Sequence, residues 1–212
     1  MRHHAPGTAP ATLVTSEHAG GPPVITLIEY DSQTIEERKI ERVEDVFTCK
    51  TNDKVSWINV DGVGDSDLLR KLGAHFGLHP LALEDVQNLT QRPKIEEYAD
   101  HFFIVTKMIS CGRDKGVECE QVSMFLGKNF LLTFQEESKR DVFDAVRKRL
   151  RNGRGFARSM KHDYLAYALL DAIIDHFFPM LEALGDGIED LEDQVLDRPS
   201  RCLLYTSPSP RD

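Results

Sequence analysis

The sequence predicts an α/β domain followed by a long helical arm. Three observations carry this. Apolar, β-branched runs of strand length recur between Val24 and Gln135. Amphipathic helices stand among them. From Ser138 the apolar period changes to about 3.6 residues, and it keeps that period to Leu196. The chain then divides into a lead-in (1–23), an α/β domain (24–160), a long acidic helix (161–200) and a tail (201–212).

Residues 1–23 are rich in Gly, Pro, Ala and Thr and predict a disordered segment, with His3 and His4 solvated. VITLIEY (24–30) reads as a strand. KVSWINV (54–60) alternates around Trp57 and ends in Asp61-Gly62, a turn signal. In SDLLRKLGAHFG (66–77), Ser66 is the expected N-cap and Gly77 the C-cap, with Leu68, Leu69, Leu72 and Phe76 on one face. HPLALEDVQNL (79–89) opens a short helix with Pro80 in its first turn. HFFIVTKMIS (101–110) is a buried strand, and residues 121–135 form two strands joined at Gly127-Lys128-Asn129. SKRDVFDAVRKRLRNG turns Val142, Phe143, Val146 and Leu150 inward and stops at Gly153. The last helix runs from about Lys161 to Leu196, with a stripe through Leu165, Leu169, Ala172, Ile173, Phe177, Leu181, Leu184, Ile188, Leu191 and Val195. Pro179 should kink it near Asp175, and Gly185 and Gly187 should loosen it. A helix of this length needs a partner surface, either a returning helix or a neighbouring subunit.

The 212 residues carry 35 acids against 26 Lys or Arg, a net charge of −9. That balance disfavours nucleic acid as a partner. Residues 139–161 depart from it, with nine Lys or Arg against two Asp. The basic helix within them, 139–151, lacks interleaved exposed aromatics and reads as a solvated face, and no nucleic-acid partner is expected. The cysteines at 49, 111, 119 and 202 form no Cys-x-x-Cys pair, which speaks against a disulfide framework or zinc site and for a reducing compartment. The N-terminus has no apolar signal region, and no run reaches the roughly 18 apolar residues that span a bilayer, so the chain as it stands is expected to be soluble.

There is no Walker lysine, no nucleophile elbow and no Ser/His/Asp or Cys/His arrangement, so no enzyme is predicted. The carboxylates are more informative. Glu84 and Asp85 lie in the otherwise apolar PLALEDV. Asp171 and Asp175 stand four apart on the long helix, followed by Glu182, Asp186 and Asp190. Like charges at that spacing repel unless something neutralises them, and a divalent cation is one such agent. The alternative is a solvated acidic stripe, with Glu84 and Asp85 complementing a helix N-terminus.

The run WINVDGVGDSDLLRKLGAHFGLHPLALEDVQNLTQRPKIEEYADHFFIVTKM (57–108) resembles the cytoplasmic domain of CorA magnesium transporters. Its landmarks are Trp57-Ile58-Asn59, Phe76 to Leu81, Glu84-Asp85 and Gln91 to Lys94. The resemblance resumes in EQVSMFLGKNFLLTFQE (120–136), DVFDAVRKRLRNGRG (141–155) and DYLAYALLDAIIDHFFPMLE (163–182). It implies a mixed β-sheet sandwiched between helical layers (αβα), then a helical hairpin whose first arm is 161–200, a stem and membrane-spanning helices with a Gly-Met-Asn motif. The motif, the return arm and the transmembrane part are missing from this sequence. The resemblance further implies a homopentamer in the cell (inner) membrane, with this portion cytoplasmic and sensing Mg²⁺. Mg²⁺, and also Co²⁺, would be the transported ions. The regulatory metal site would use Asp85, with Glu84 and Asp171 as members, and Asp175 joins them from the spacing on the long helix. A zinc or nickel/cobalt transporter of the same superfamily, and a stand-alone soluble metal-binding domain, are the alternative readings. The tail CLLYTSPSPRD reads as a translated sequencing adapter and is excluded from the fold.

Overall fold

A computed structural model describes residues 11–13, 22–51, 54–111, 117–136, 142–153 and 156–197. The tail and most of the lead-in lie outside the described residues. Seven strands form one sheet: β1 (Val24–Tyr30), β2 (Ile35–Ile40), β3 (Val55–Asp61), β4 (Lys94–Glu97), β5 (His101–Cys111), β6 (Val117–Gly127) and β7 (Phe130–Gln135), in the order β2-β1-β3-β7-β6-β5-β4. Its neighbours pair antiparallel except β3 and β7, which run parallel from Ser56↔Phe130 to Asp61↔Gln135. The sheet is therefore mixed, as expected.

Helices cover both faces. α1 (Ser66–Phe76), α2 (Pro80–Gln87) and a 3₁₀ segment, Val43–Thr51, pack on one face over Leu27, Ile58, Val60, Phe103, Phe125 and Phe134. α3 (Asp144–Asn152) and α4 (His162–Asp175) pack on the other, over Ile28, Trp57, Met108, Val122, Met124 and Leu131. Alternate residues of one strand thus enter different cores. This is why the central strands read as unbroken apolar runs rather than as alternation. The edge strands β2 and β4 were not legible for the opposite reason: IEERKI and KIEE are mostly wet and carry little apolar pattern.

Several local expectations hold, and two shift. Gly77 ends α1 in the left-handed conformation (φ 71°), and Gly153 does the same for α3 (φ 59°). The N-cap of α1 is Asp65 rather than Ser66: its carboxylate accepts the amides of Asp67 (2.9 Å) and Leu68 (3.0 Å). Ser66 moves inside, where its hydroxyl accepts the Gln87 amide at 3.1 Å. The long helix breaks where Pro179 demands it. Pro179 brings no N–H to the Asp175 carbonyl, α4 ends at Asp175, and α5 (Phe177–Asp197) begins two residues later. The His176 ring bridges the break by meeting the Ala172 carbonyl at 2.8 Å.

α4 buries Leu165, Ala166, Leu169, Ala172 and Ile173 against the sheet, whereas α5 leaves the domain. Leu181, Leu184, Ile188 and Leu191 on α5 are each more than half exposed. From Ile174 the apolar residues recur at alternating intervals of three and four: Phe177, Leu181, Leu184, Ile188, Leu191, Val195. Among the described residues, His162–Leu196 is the one helical stretch long and apolar enough to cross a membrane by length and composition. Asp171 and Asp175 interrupt it, so it holds no unbroken run of about 18 apolar residues, as expected. Few charges fall in its first half, where the apolar face belongs to the sheet.

Gly73 and Gly185 should respond oppositely to substitution. A Cβ on Gly73 would lie 2.3 Å from the Leu83 side chain, whereas one on Gly185 meets nothing within 4 Å. Gly73→Val is expected to cost about 1–3 kcal/mol by overpacking α1 against α2. Gly185→Ala should raise helix content and stability by up to about 1 kcal/mol. Denaturant unfolding followed by circular dichroism measures both.

Candidate metal-sensing site

His79 is extended before Pro80, and its Nδ1 accepts the Leu81 amide at 3.3 Å, so α2 starts with its first donors satisfied. Ala82, Leu83, Val86 and Gln87 face the core. That leaves Glu84 and Asp85 half-buried along the flank.

Asp85 is held by three polar groups, from the loop after α2, from β4 and from β6. Its Oδ1 accepts the Gln91 side-chain amide at 2.6 Å, and its Oδ2 accepts Lys94 Nζ at 2.6 Å. Its backbone carbonyl accepts Gln121 Nε2 at 2.9 Å, which ties α2 to β6. Lys94 also donates to Glu96 Oε1 at 2.7 Å and lies 5.6 Å from the Phe103 ring centre. Burial by itself would lower the Lys94 pKa, but the hydrogen bonds to Asp85 and Glu96 outweigh it and raise it. Glu96 is held below the usual carboxylate range, chiefly by the Lys94 hydrogen bond and further by the Tyr98 hydroxyl at 3.0 Å. Glu84 is engaged from another direction: its Oε2 accepts the Ala11 amide at 2.6 Å. The lead-in expected to be disordered therefore places Ala11–Leu13 on the domain, with Leu13 against the core under α1 and α2.

The other two candidates lie elsewhere. Asp171 is half-buried and Asp175 exposed, both on α4, across the sheet from α2. A single protomer brings Glu84 and Asp85 together and keeps Asp171 and Asp175 apart from them. Glu182, Asp186 and Asp190 are exposed on α5. Among the described residues, no three His, Cys, Asp or Glu side chains form a group able to hold a metal ion. Glu84 and Asp85 have the hard oxygen donors that Mg²⁺ takes. They fit such an ion in kind, and the rest of its shell must come from water or from another chain.

Lys94, Glu96 and Gln121 were missed as site residues. The available signal was the spacing of Lys94, Glu96 and Tyr98, which places all three on one side of a strand. Behind them is an aromatic ladder. His79 stacks on Tyr98 (5.1 Å between ring centres), Tyr98 on His101 (5.0 Å), and His101 packs at a tilt on Phe125 (5.6 Å). His101 is buried, and its Nε2 has no hydrogen-bond partner.

Sequence and fold comparisons decide the family. The model of the CorA-like Mg²⁺ transporter protein matches residues 52–205. The chain belongs to the CorA family. It is 40% identical over 196 residues to the Cobalt/magnesium transport protein CorA of Thermotoga maritima, covering 92% of this chain and 56% of that protein. It is 29% identical to the Putative metal ion transporter YfjQ of Bacillus subtilis over 80% of this chain and 50% of that one. The chain thus spans about half the length of the curated relatives it matches. Its fold matches the soluble domain of CorA from Methanocaldococcus jannaschii (TM-score 0.58, 20% identity, 85% of this chain and 67% of that one). It also matches the ZntB cytoplasmic domain of Vibrio parahaemolyticus (TM-score 0.60, 11% identity, 84% and 68%). At these identities the structural likeness speaks to the fold, and the αβα arrangement is that of CorA soluble domains.

The buried His101 gives this CorA domain a pH response. Desolvation holds its pKa below the ordinary value. The folded state therefore favours the neutral ring, and its contribution is complete above the unfolded value near 6.5 and is lost as pH falls below it. The melting temperature should drop from pH 7.5 toward 5.5, and His101→Phe should flatten that slope. His162, shifted the same way by burial, accounts for part of what remains.

Proposed function

We propose that the chain is the cytoplasmic, Mg²⁺-sensing part of a CorA-type divalent-cation transporter that carries Mg²⁺ and also Co²⁺. The observation that carries this reading is the 40% identity to a protein named for cobalt and magnesium transport, sustained over 92% of the chain. In this reading the whole protein is a homopentamer in the cell membrane, anchored by helices C-terminal to α5. The transported ions are its substrates, and Mg²⁺ also regulates it.

The regulatory role falls to carboxylates at the junction of neighbouring subunits. Asp85 is the principal ligand, Glu84 and Asp171 assist, and Asp175 lies a turn further along α4. The placement of the two pairs on opposite faces of one sheet supports a site shared between subunits, because no single protomer assembles it. Bound Mg²⁺ supplies the positive charge that lets acids of adjoining subunits approach. Without it those acids repel and the assembly loosens toward conduction. The all-oxygen donors on α2 fit Mg²⁺ better than the softer zinc of the alternative reading. Nothing in the mechanism requires covalent chemistry.

In the protein completed through its membrane-spanning part, Asp85→Lys should raise the Mg²⁺ concentration that inhibits uptake by roughly tenfold or more. Uptake assays across a Mg²⁺ series measure this. An inhibition curve identical to that of the unsubstituted protein would overturn the assignment of Asp85.

A further inference from the structure

Asp85 already has a cation. Lys94 Nζ is 2.6 Å from its Oδ2, and the two side chains are only 27% and 22% exposed, so water and salt screen the pair less than they would at the surface. An ammonium has donors and no acceptor, and it occupies one of the two Asp85 oxygens on which an incoming ion would draw. Lys94 also has a second place to go. Glu96 Oε1 is 2.7 Å away on the same strand, and the Phe103 ring lies alongside. The lysine can therefore release Asp85 without entering water as a bare charge.

A tethered ammonium is present at high effective concentration. A monovalent ion from solution offers the same charge without the tether and loses the competition. A divalent ion offers twice the charge and wins it. We infer that Lys94 is a built-in competitor for the divalent cation at Asp85, setting the ion concentration at which the site fills, and that Glu96 receives Lys94 when it does. Lys94 and Glu96 are positioning residues: they touch the ligand carboxylate or one another rather than the ion. The inference rests on the reading of Asp85 as a cation ligand.

The test is a MgCl₂ titration of the full 212-residue chain, read on the Gln91 side-chain NH₂ signals by NMR, since that amide donates to Asp85. Saturable movement of these signals, abolished by Asp85→Asn, is expected. Lys94→Gln should lower the midpoint roughly five-fold, while Lys94→Arg should stay near the unsubstituted value. Glu96→Gln should raise the midpoint by leaving Lys94 wholly to Asp85. Lys71→Gln and the exposed Glu97→Gln make the same charge changes elsewhere and should leave it in place. If the Gln91 signals show no saturable response in either the unsubstituted chain or Lys94→Gln, the competitor role is overturned, whereas the reading of Asp85 in the assembled protein is decided by the uptake series. If the response is present and lost in Asp85→Asn, but Lys94→Gln leaves the midpoint unchanged or raises it, only the competitor role is overturned. An unchanged or lower midpoint in Glu96→Gln overturns the role given to Glu96.

Discussion

The parallel pairing of β3 with β7 is the constraint on which the rest of the fold depends. These strands are about seventy residues apart, and they are the seam between the β1–β3 sheet half and the β4–β7 half. A buried polar relay stitches them together. Trp57 Nε1 donates to Thr133 Oγ1 at 3.0 Å, Thr133 donates to Asn59 Oδ1 at 2.6 Å, and Asn59 donates to Asp61 Oδ1 at 3.0 Å. Every donor here has an acceptor, so the buried polar atoms cost little and fix the register. Arg147 of α3 lies 5.1 Å from the Trp57 ring and adds a cation to the same spot.

Everything between the two strands is folded as one crossover. α1 and α2 must pack on a single face of the sheet while β4, β5 and β6 extend it, and so α2 is delivered beside β6. The hydrogen bond from Gln121 to the Asp85 carbonyl is the local result. The carboxylate pair is thus positioned by long-range topology, whereas Asp85 takes its hydrogen bond and its counter-charge from short-range neighbours, Gln91 and Lys94. The basic segment has a similar double character. Arg151 forms a two-bond pair with Glu37 (2.7 and 2.8 Å), and Arg158 donates to the carbonyls of Leu150 and Arg151 at the end of α3. Part of the positive charge that read as a solvated face therefore holds β2 and the α3 terminus in place.

The elements with strong periodicity were legible in the sequence. β1, β3, β5 and the β6–β7 hairpin bury enough apolar surface to show in any window, and Gly77, Gly153 and Pro179 mark ends that only their backbone chemistry allows. The edge strands were not, because their pairing comes from the neighbour and not from their own side chains. The Ser66 cap was misassigned because Asp65 and Ser66 are both good caps, and the choice turned on Gln87, far along the chain, needing the Ser66 hydroxyl. At the candidate site, spacing could nominate Glu84, Asp85, Asp171 and Asp175 as acids needing a counter-charge. It could not show that a sheet divides them, nor that Lys94 already serves Asp85.

The alternation of threes and fours along α5 has a geometric consequence. An α-helix has about 3.6 residues per turn, so a stripe repeating every 3.5 drifts by about 20° per heptad around a straight axis. A helix lying along Ile174 to Val195 can keep contact only by winding around α5 in a left-handed supercoil, crossing at about 20°. Gly185 and Gly187 lie on either side of the stripe near its middle and present no side chain to hold a companion off. The arm is accordingly half of a screw thread. A companion that slides along it must also turn, so an axial shift at the sheet end would arrive at the far end as rotation.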